Sequence, residues 1–352
     1  EAEKRLSKYY PKKDGKYPIA YLWARTVQCE APNCVAEIPL ISQTVIAKGK
    51  RKAWIEITGN RETKEVSINV KMGEKIPAGL KVTAGGGHAV CPCCNNTTHK
   101  DRVKIQGKAG KMGHRLFGIA IPVGEREGKE YRNAALEDFY AFSDAENEWL
   151  KVIEKNPDLE LNESFPIQNP REFNSGLYGT FKWANIFSPR QKLSLNHYSS
   201  LIKEYQSTLQ TKGIEKNTVK AVISALTLGI SNLVHYNTNQ STYLSEGMIS
   251  CFIAGNAMAM RWDWAESNPI VSGYVGGIDF SYKKGFEAIS VLVNGFKNYG
   301  TSVFQNDATK LNLPDDSADL FFTDPPYYDV IPYADLSDMS YIWLKRMLKD
   351  DF

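Results

Sequence analysis

Leu320-Phe321-Phe322-Thr323-Asp324-Pro325-Pro326-Tyr327 is an apolar run that ends abruptly in an acid, two prolines and an aromatic, with Tyr328, Asp329 and Pro332 behind them. Proline cannot continue a strand ladder and Asp favours turn starts, so the stretch reads as a strand over 319–323 that delivers a stiff turn. In an open α/β sheet, ligands bind beyond the carboxyl ends of the strands, where such a turn sits. Its residue types suit a planar exocyclic amine. The Asp324 carboxylate and a carbonyl at Pro325 would accept the amine hydrogens and favour a tetrahedral, attacking nitrogen. Pro325 and Pro326 would fix that carbonyl, and Tyr327 would stack on a base swung out of its duplex. The alternative is a tight turn that only closes a buried strand.

Upstream, a helix is expected over 285–299, a strand over 301–305, then Asn306-Asp307-Ala308 and a polar loop over 311–318. That order would place Asp307 and Asp324 at the same edge of a parallel sheet. Asp307 could then accept from the adenine amino group of a nucleoside cofactor, the alternative being a turn or helix cap. Gly273-Tyr274-Val275-Gly276-Gly277 has no apolar strand before it and is not read as a cofactor-binding glycine turn.

The other chemical signal is a set of cysteines. Cys29 and Cys34 are spaced C-x4-C around Pro32 and Asn33, and Cys91 and Cys94 are spaced C-x2-C. Two such knuckles let four thiolates converge on one Zn2+ ion, a structural site because four protein ligands leave no open position. Buried unliganded thiols are the alternative. Cys93 is a spare thiol, His88 or His99 could replace a ligand, and Cys251 reads as core. Between the knuckles, residues 53–58 and 66–70 alternate at strand period across a loop that opens Gly59-Asn60, a hairpin pattern. The apolar run 19–23 reads as a buried strand leading to Cys29, and 103–123 continues strand-like.

From about 124 the pattern changes to helices. One is expected over 133–155, stopped by Asn156-Pro157. Ser188-Pro189-Arg190-Gln191 opens another with an N-cap Ser, Pro at the first position and Gln at the capping-box position. A third spans 216–236. Arg190 is expected to pair with a surface carboxylate in preference to a phosphate. Asn237, Asn239, Gln240 and Ser241 could read base edges, but turn chemistry is the simpler role.

The chain has 352 residues, net charge +3 and 42% hydrophobic residues, an ordinary globular composition without a basic footprint. Any nucleic-acid contact would come from local clusters, chiefly Lys48 to Lys52 and Lys100 to Lys111. Neither a signal peptide nor a membrane span is read, and six cysteines, four of them paired at short spacing, suit a reducing, cytoplasmic compartment and a metal.

Several blocks together resemble the adenine-specific DNA methylases that carry a zinc ribbon inside the methyltransferase domain. They are the segment Ala20 to Val27 before the first knuckle, Cys91-Pro92-Cys93-Cys94, Phe187-Ser188-Pro189-Arg190-Gln191, Asn306-Asp307-Ala308, and Thr323 to Asp329 continuing through Pro332 to Asp338 and Trp343 to Arg346. The resemblance implies a class I, Rossmann-like methyltransferase fold using S-adenosylmethionine. It implies Asp324, Pro325, Pro326 and Tyr327 as the amine-binding motif, and Asp307 with Ala308 on the cofactor adenine. It also implies DNA as partner; restriction-modification or phage defence, and regulation, are alternative roles that the sequence does not choose between. Val330 departs from the Asn expected in relatives. Relatives also carry a glycine-rich cofactor loop upstream of the ribbon, so this chain is expected to be a segment that partners that upstream part and is inactive alone. The expected organisation is a lead strand over 1–27, a zinc-ribbon β domain over 28–123, a helical insertion over 124–270 as possible target-recognition region, and the C-terminal part of a methyltransferase sheet over 271–352. A non-catalytic zinc-ribbon nucleic-acid-binding protein, or a methyltransferase acting on RNA or on the cytosine amine, are the alternatives.

Overall fold

The apolar run beginning at Ile19 becomes β1 (Ala20–Gln28), buried along almost its whole length. The two-residue period of a strand explains why: Tyr21 and Trp23 enter one hydrophobic core, while Ala20, Leu22 and Ala24 enter another on the opposite face. A strand covered on both sides needs mostly apolar residues, and β1 has them from Ala20 to Ala24 and at Val27, with Arg25 and Thr26 as buried polar exceptions. The computed structural model describes residues 1–124, 128–251, 257–295, 302, 304–328 and 331–348.

After β1 come β2 (Glu37–Leu40), β3 (Val45–Ala47), β4 (Lys52–Gly59) and β5 (Val66–Gly73). The expected hairpin is β4 and β5, paired from Lys52 with Gly73 to Gly59 with Val66, with β3 on the other edge of β4. Around the second knuckle lie the short strands β6 (Ala84–Gly85), β7 (His88–Val90) and β8 (Thr97–Thr98). Then follow β9 (Gly113–Gly124), β10 (Gly128–Asn133), a small pair β11 (Thr242–Leu244) and β12 (Met248–Ser250), and β13 (Asp263–Ser267).

The largest sheet among the described residues runs β10-β9-β1-β13 and is antiparallel. On one side of β1, β13 pairs with its first half and β2 with its second. β13 therefore joins the expected helical region directly to the lead strand.

The helices are α1 (Ala2–Leu6), α2 (Lys100–Lys108), α3 (Leu136–Lys155), α4 (Pro189–Thr211), α5 (Lys216–Tyr236), α6 (Ile278–Gly295) and α7 (Tyr333–Leu348). Helix α4 begins where its capping box places it: Ser188 Oγ accepts from the Gln191 N–H at 3.1 Å and Gln191 Oε1 accepts from the Ser188 N–H at 2.8 Å. Val219, Ile223, Ile230 and Leu233 of α5 enter the same core as Leu193 and Ile202 of α4 and Met339, Ile342 and Trp343 of α7. By length and composition α5 could cross a membrane, yet its apolar face is spent on this packing.

Three expectations need correction. The strand-like stretch 103–123 contains α2 before β9 starts; His99 Nδ1 accepts from the Asp101 N–H, and Val103, Gln106 and Gly107 form a buried helical face. The alternation of Val103 with Ile105 imitates a strand, but Ile105 is exposed. Strands over 301–305 and 319–323 are not formed: 302, 304–305 and 319–323 have no ladder partner, and 301 and 303 lie outside the described residues. A parallel strand is stabilised by neighbours and by cover on both faces, and the described residues supply neither here. The α/β class holds, whereas the parallel, Rossmann-like C-terminal sheet is not present among the described residues. The helix over 285–299 starts earlier, at Ile278, and 296–299 lie outside the described residues.

Candidate functional site

The four cysteines come together. Their sulfurs all lie within 4.8 Å of one another, with Cys29 Sγ 3.7 Å from Cys94 Sγ and Cys34 Sγ 3.6 Å from Cys91 Sγ. A tetrahedral zinc with Zn–S bonds of about 2.3 Å has sulfur–sulfur edges of about 3.8 Å, so the arrangement fits a Zn2+ ion. Local structure makes this possible. Asn33 and Asn95 take left-handed backbone conformations that turn each knuckle, and the Asn95 N–H donates to the Cys91 carbonyl at 2.8 Å. Gly59, ending β4, lies beneath the second knuckle, where an added Cβ would stand 2.4 Å from the Pro92 carbonyl carbon.

Burial pushes the Cys29 thiol up to about 11 and raises that of Cys91, whereas Cys94, despite burial, is drawn down to about 7 by the Asn96 N–H and neighbouring sulfurs. Four enclosed thiols cannot all ionise without a cation, which is the charge a zinc ion supplies. Cys93 is buried but turned to the Glu65 carbonyl at 3.5 Å, outside the cluster. His88 and His99 pack edge to face at 4.7 Å and are not among the converging groups. Cys251 is half-buried.

Asp324, Pro325, Pro326 and Tyr327 stand in an exposed segment without regular secondary structure. The apolar lead is exposed with them: Leu320 at 81%, Phe321 at 68% and Phe322 at 89%. Asp307 is exposed too, and its Oδ1 accepts from the Thr309 N–H at 2.9 Å and the Thr309 hydroxyl at 2.8 Å, which holds its carboxylate below the usual range. It caps a turn, the plainer of its two expected roles. Ala308 is exposed beside it. No common sheet edge brings Asp307 and Asp324 together among the described residues. Asp329 and Val330 lie outside them.

A polar centre that the sequence reading missed lies between β1, β13 and α4. The Arg190 guanidinium, fully buried, donates Nε to Glu266 Oε1 and Nη2 to Glu266 Oε2, both at 2.9 Å, and Nη1 to the Tyr9 carbonyl at 3.0 Å. Ser188 Oγ and Trp23 Nε1 complete the carboxylate at 3.1 and 3.0 Å, and the Tyr21 ring lies 3.9 Å from the guanidinium carbon. Arg190 thus pairs with a carboxylate as expected, but in the interior instead of at the surface. The segment Asn237 to Ser241 is buried; Asn237 donates to the Leu233 and Gly276 carbonyls, in keeping with turn chemistry.

Beside this centre a cleft of about 390 Å³ opens between the sheet and α3 and α4, lined by Trp23, Phe142, Phe187 and Trp264 with His114, Asn239 and Lys192. The sequence held one signal for this region: Arg25 and Glu266 are charged residues each two positions from a tryptophan, Trp23 and Trp264. No protein-family model, curated protein or solved structure matches the chain.

Proposed function

We propose that the Asp324 segment is the amine-binding motif of an S-adenosylmethionine-dependent methyltransferase that acts on the exocyclic amine of adenine in DNA, in a cytoplasmic setting. The observation that carries this is the conjunction of the Asp-Pro-Pro-Tyr turn with an apolar lead whose side chains stand uncovered. Leu320, Phe321 and Phe322 have the composition of a strand buried on both faces and, among the described residues, lack the neighbours such a strand requires. The reading therefore requires that 301–305 and 319–323 complete a sheet whose other strands come from an upstream segment carrying the glycine-rich cofactor loop.

In that sheet the Asp324 carboxylate would accept one amine hydrogen and the Pro325 carbonyl the other. This withdraws the nitrogen lone pair from the ring and leaves it free to attack. Pro325 and Pro326 restrict the turn, so the carbonyl is aimed before substrate arrives. Tyr327 would stack on the extruded base. S-adenosylmethionine would supply an activated methyl group and leave as S-adenosylhomocysteine, the methylated amine giving its surplus proton to solvent, with Asp307 and Ala308 near the cofactor adenine. The zinc cluster, with no open coordination position, is assigned to holding the ribbon together.

The test supplies the upstream segment, labelled S-adenosylmethionine and DNA, and compares the wild-type chain with Asp324→Ala. Label enters DNA with the wild type and falls by at least about a hundredfold in the variant, the scale of one lost catalytic contact. Equal labelling in both would remove Asp324 from the chemistry. No label in either would favour a non-catalytic binder.

A further inference from the structure

Four side chains that carry a charge at neutral pH are buried among the described residues: Arg25, Asp138, Arg190 and Glu266. Arg190 is paired with Glu266, and Asp138 with Arg132 at 2.6 Å. Among the described residues no carboxylate stands against Arg25. Its Nε donates to the Arg261 carbonyl at 2.8 Å, its Nη2 to Asn239 Oδ1 at 2.9 Å, and its Nη1 faces His114 Nε2 at 3.4 Å. Every partner is neutral, although buried charges are ordinarily paired.

Two of those partners, His114 and Asn239, line the 390 Å³ cleft, so the uncompensated cation lies one layer behind its wall. The His114 ring is also held by Trp264 Nε1, which donates to Nδ1 at 3.3 Å. A neutral imidazole can accept at only one nitrogen, so one of its two contacts is unsatisfied in either tautomer.

Four aromatic side chains, Trp23, Phe142, Phe187 and Trp264, line the cleft, with Ala184, Asn185, Ser188 and Pro189 beside them. Trp23 and Trp264 stack at 5.4 Å with planes 7° apart, and Phe142 tilts onto Trp23 at 4.7 Å. Lys192 stands at the edge, engaged with Glu160 at 2.8 Å, and Glu146 is the acidic side chain of the exposed rim. The volume falls within the range of roughly 300–1,000 Å³ typical of small-molecule sites.

We propose that this cleft binds a nucleotide, its planar ring against Phe142, Phe187 and the Trp23–Trp264 pair and its negative charge towards His114 and Arg25. A phosphate there supplies the counter-charge that Arg25 lacks, in a low-dielectric setting where such a charge acts strongly. The ring takes the place of water against aromatic side chains. This inference does not rest on the Asp324 motif, because binding is read without methyl donor or transfer.

The experiment titrates AMP, adenosine and an oligo(dA) strand into the full chain with zinc, following the Trp264 Nε1–H and the His114 ring by NMR. We expect millimolar AMP to shift both signals and to raise the His114 pKa, as an anion offsets Arg25. Adenosine, without the charge, binds at least about tenfold more weakly. Phe142→Leu, at a half-buried position, weakens AMP about tenfold, the order of one base–aromatic contact, with the fold intact by circular dichroism. Displacement of AMP by oligo(dA) assigns the site to a nucleotide within a strand, and its failure assigns it to the free nucleotide; both accord with the proposal. Unmoved signals at millimolar AMP, equal binding of AMP and adenosine, or wild-type affinity in a folded Phe142→Leu would overturn it.

Discussion

Glu266 is enclosed on every side and satisfies four donors from Arg190, Ser188 and Trp23. Its worth lies less in the ion pair itself than in what its loss leaves behind. Removing one partner of a buried pair strands the other charge away from water and costs about 3–5 kcal/mol, whereas replacing both with apolar groups is often nearly neutral. Glu266→Gln should therefore lower unfolding free energy by about 3 kcal/mol or more in urea at unchanged m, while Arg190→Met with Glu266→Leu loses much less. A single variant within about 0.5 kcal/mol of wild type would mean the pair is not enclosed as described. That Arg190 meets a carboxylate was legible in the sequence. Which one was not, because Glu266 is 76 positions away and meets Arg190 only once β13 has paired with β1.

Among the elements, the two knuckles carry the clearest expectation. The ribbon should hold about one Zn2+ per chain by elemental analysis, and Cys29→Ser or Cys91→Ser should abolish it and loosen β6 to β8 towards protease. Because thiolates compete with protons, acidification should release the metal in the wild type. Full zinc content in both variants would show that the converging sulfurs do not bind it. Features set by nearby residues were readable beforehand: the knuckles from their spacing, the start of α4 from its capping box, and the β4–β5 hairpin from period-two alternation. Helix α2 was misread because four residues alternating by chance look like a strand, and only its His99 cap and buried Gln106 reveal the helix. Strands at 302, 304–305 and 319–323 fail for another reason: no strand is stable by its own composition, and among the described residues nothing pairs with them.

Taken as a whole, the chain divides its apolar surface unequally. Around β1 the sheet is covered on both faces, and α3, α4, α5 and α7 share one core. In contrast Phe286, Val291, Leu292 and Val293 of α6 are exposed, as are Leu320, Phe321, Phe322, Tyr327 and Tyr328. In the methyltransferase reading these exposed apolar groups are where the remaining sheet and its cofactor loop would pack. The most direct measurement follows from that reading. DNA incubated with this chain, the upstream segment and S-adenosylmethionine is digested to nucleosides, and the methylated base is identified by mass spectrometry. N6-methyladenine that disappears with Asp324→Ala is the expected result; methyl on the cytosine amine alone, or N6-methyladenine that persists without the Asp324 carboxylate, would contradict it.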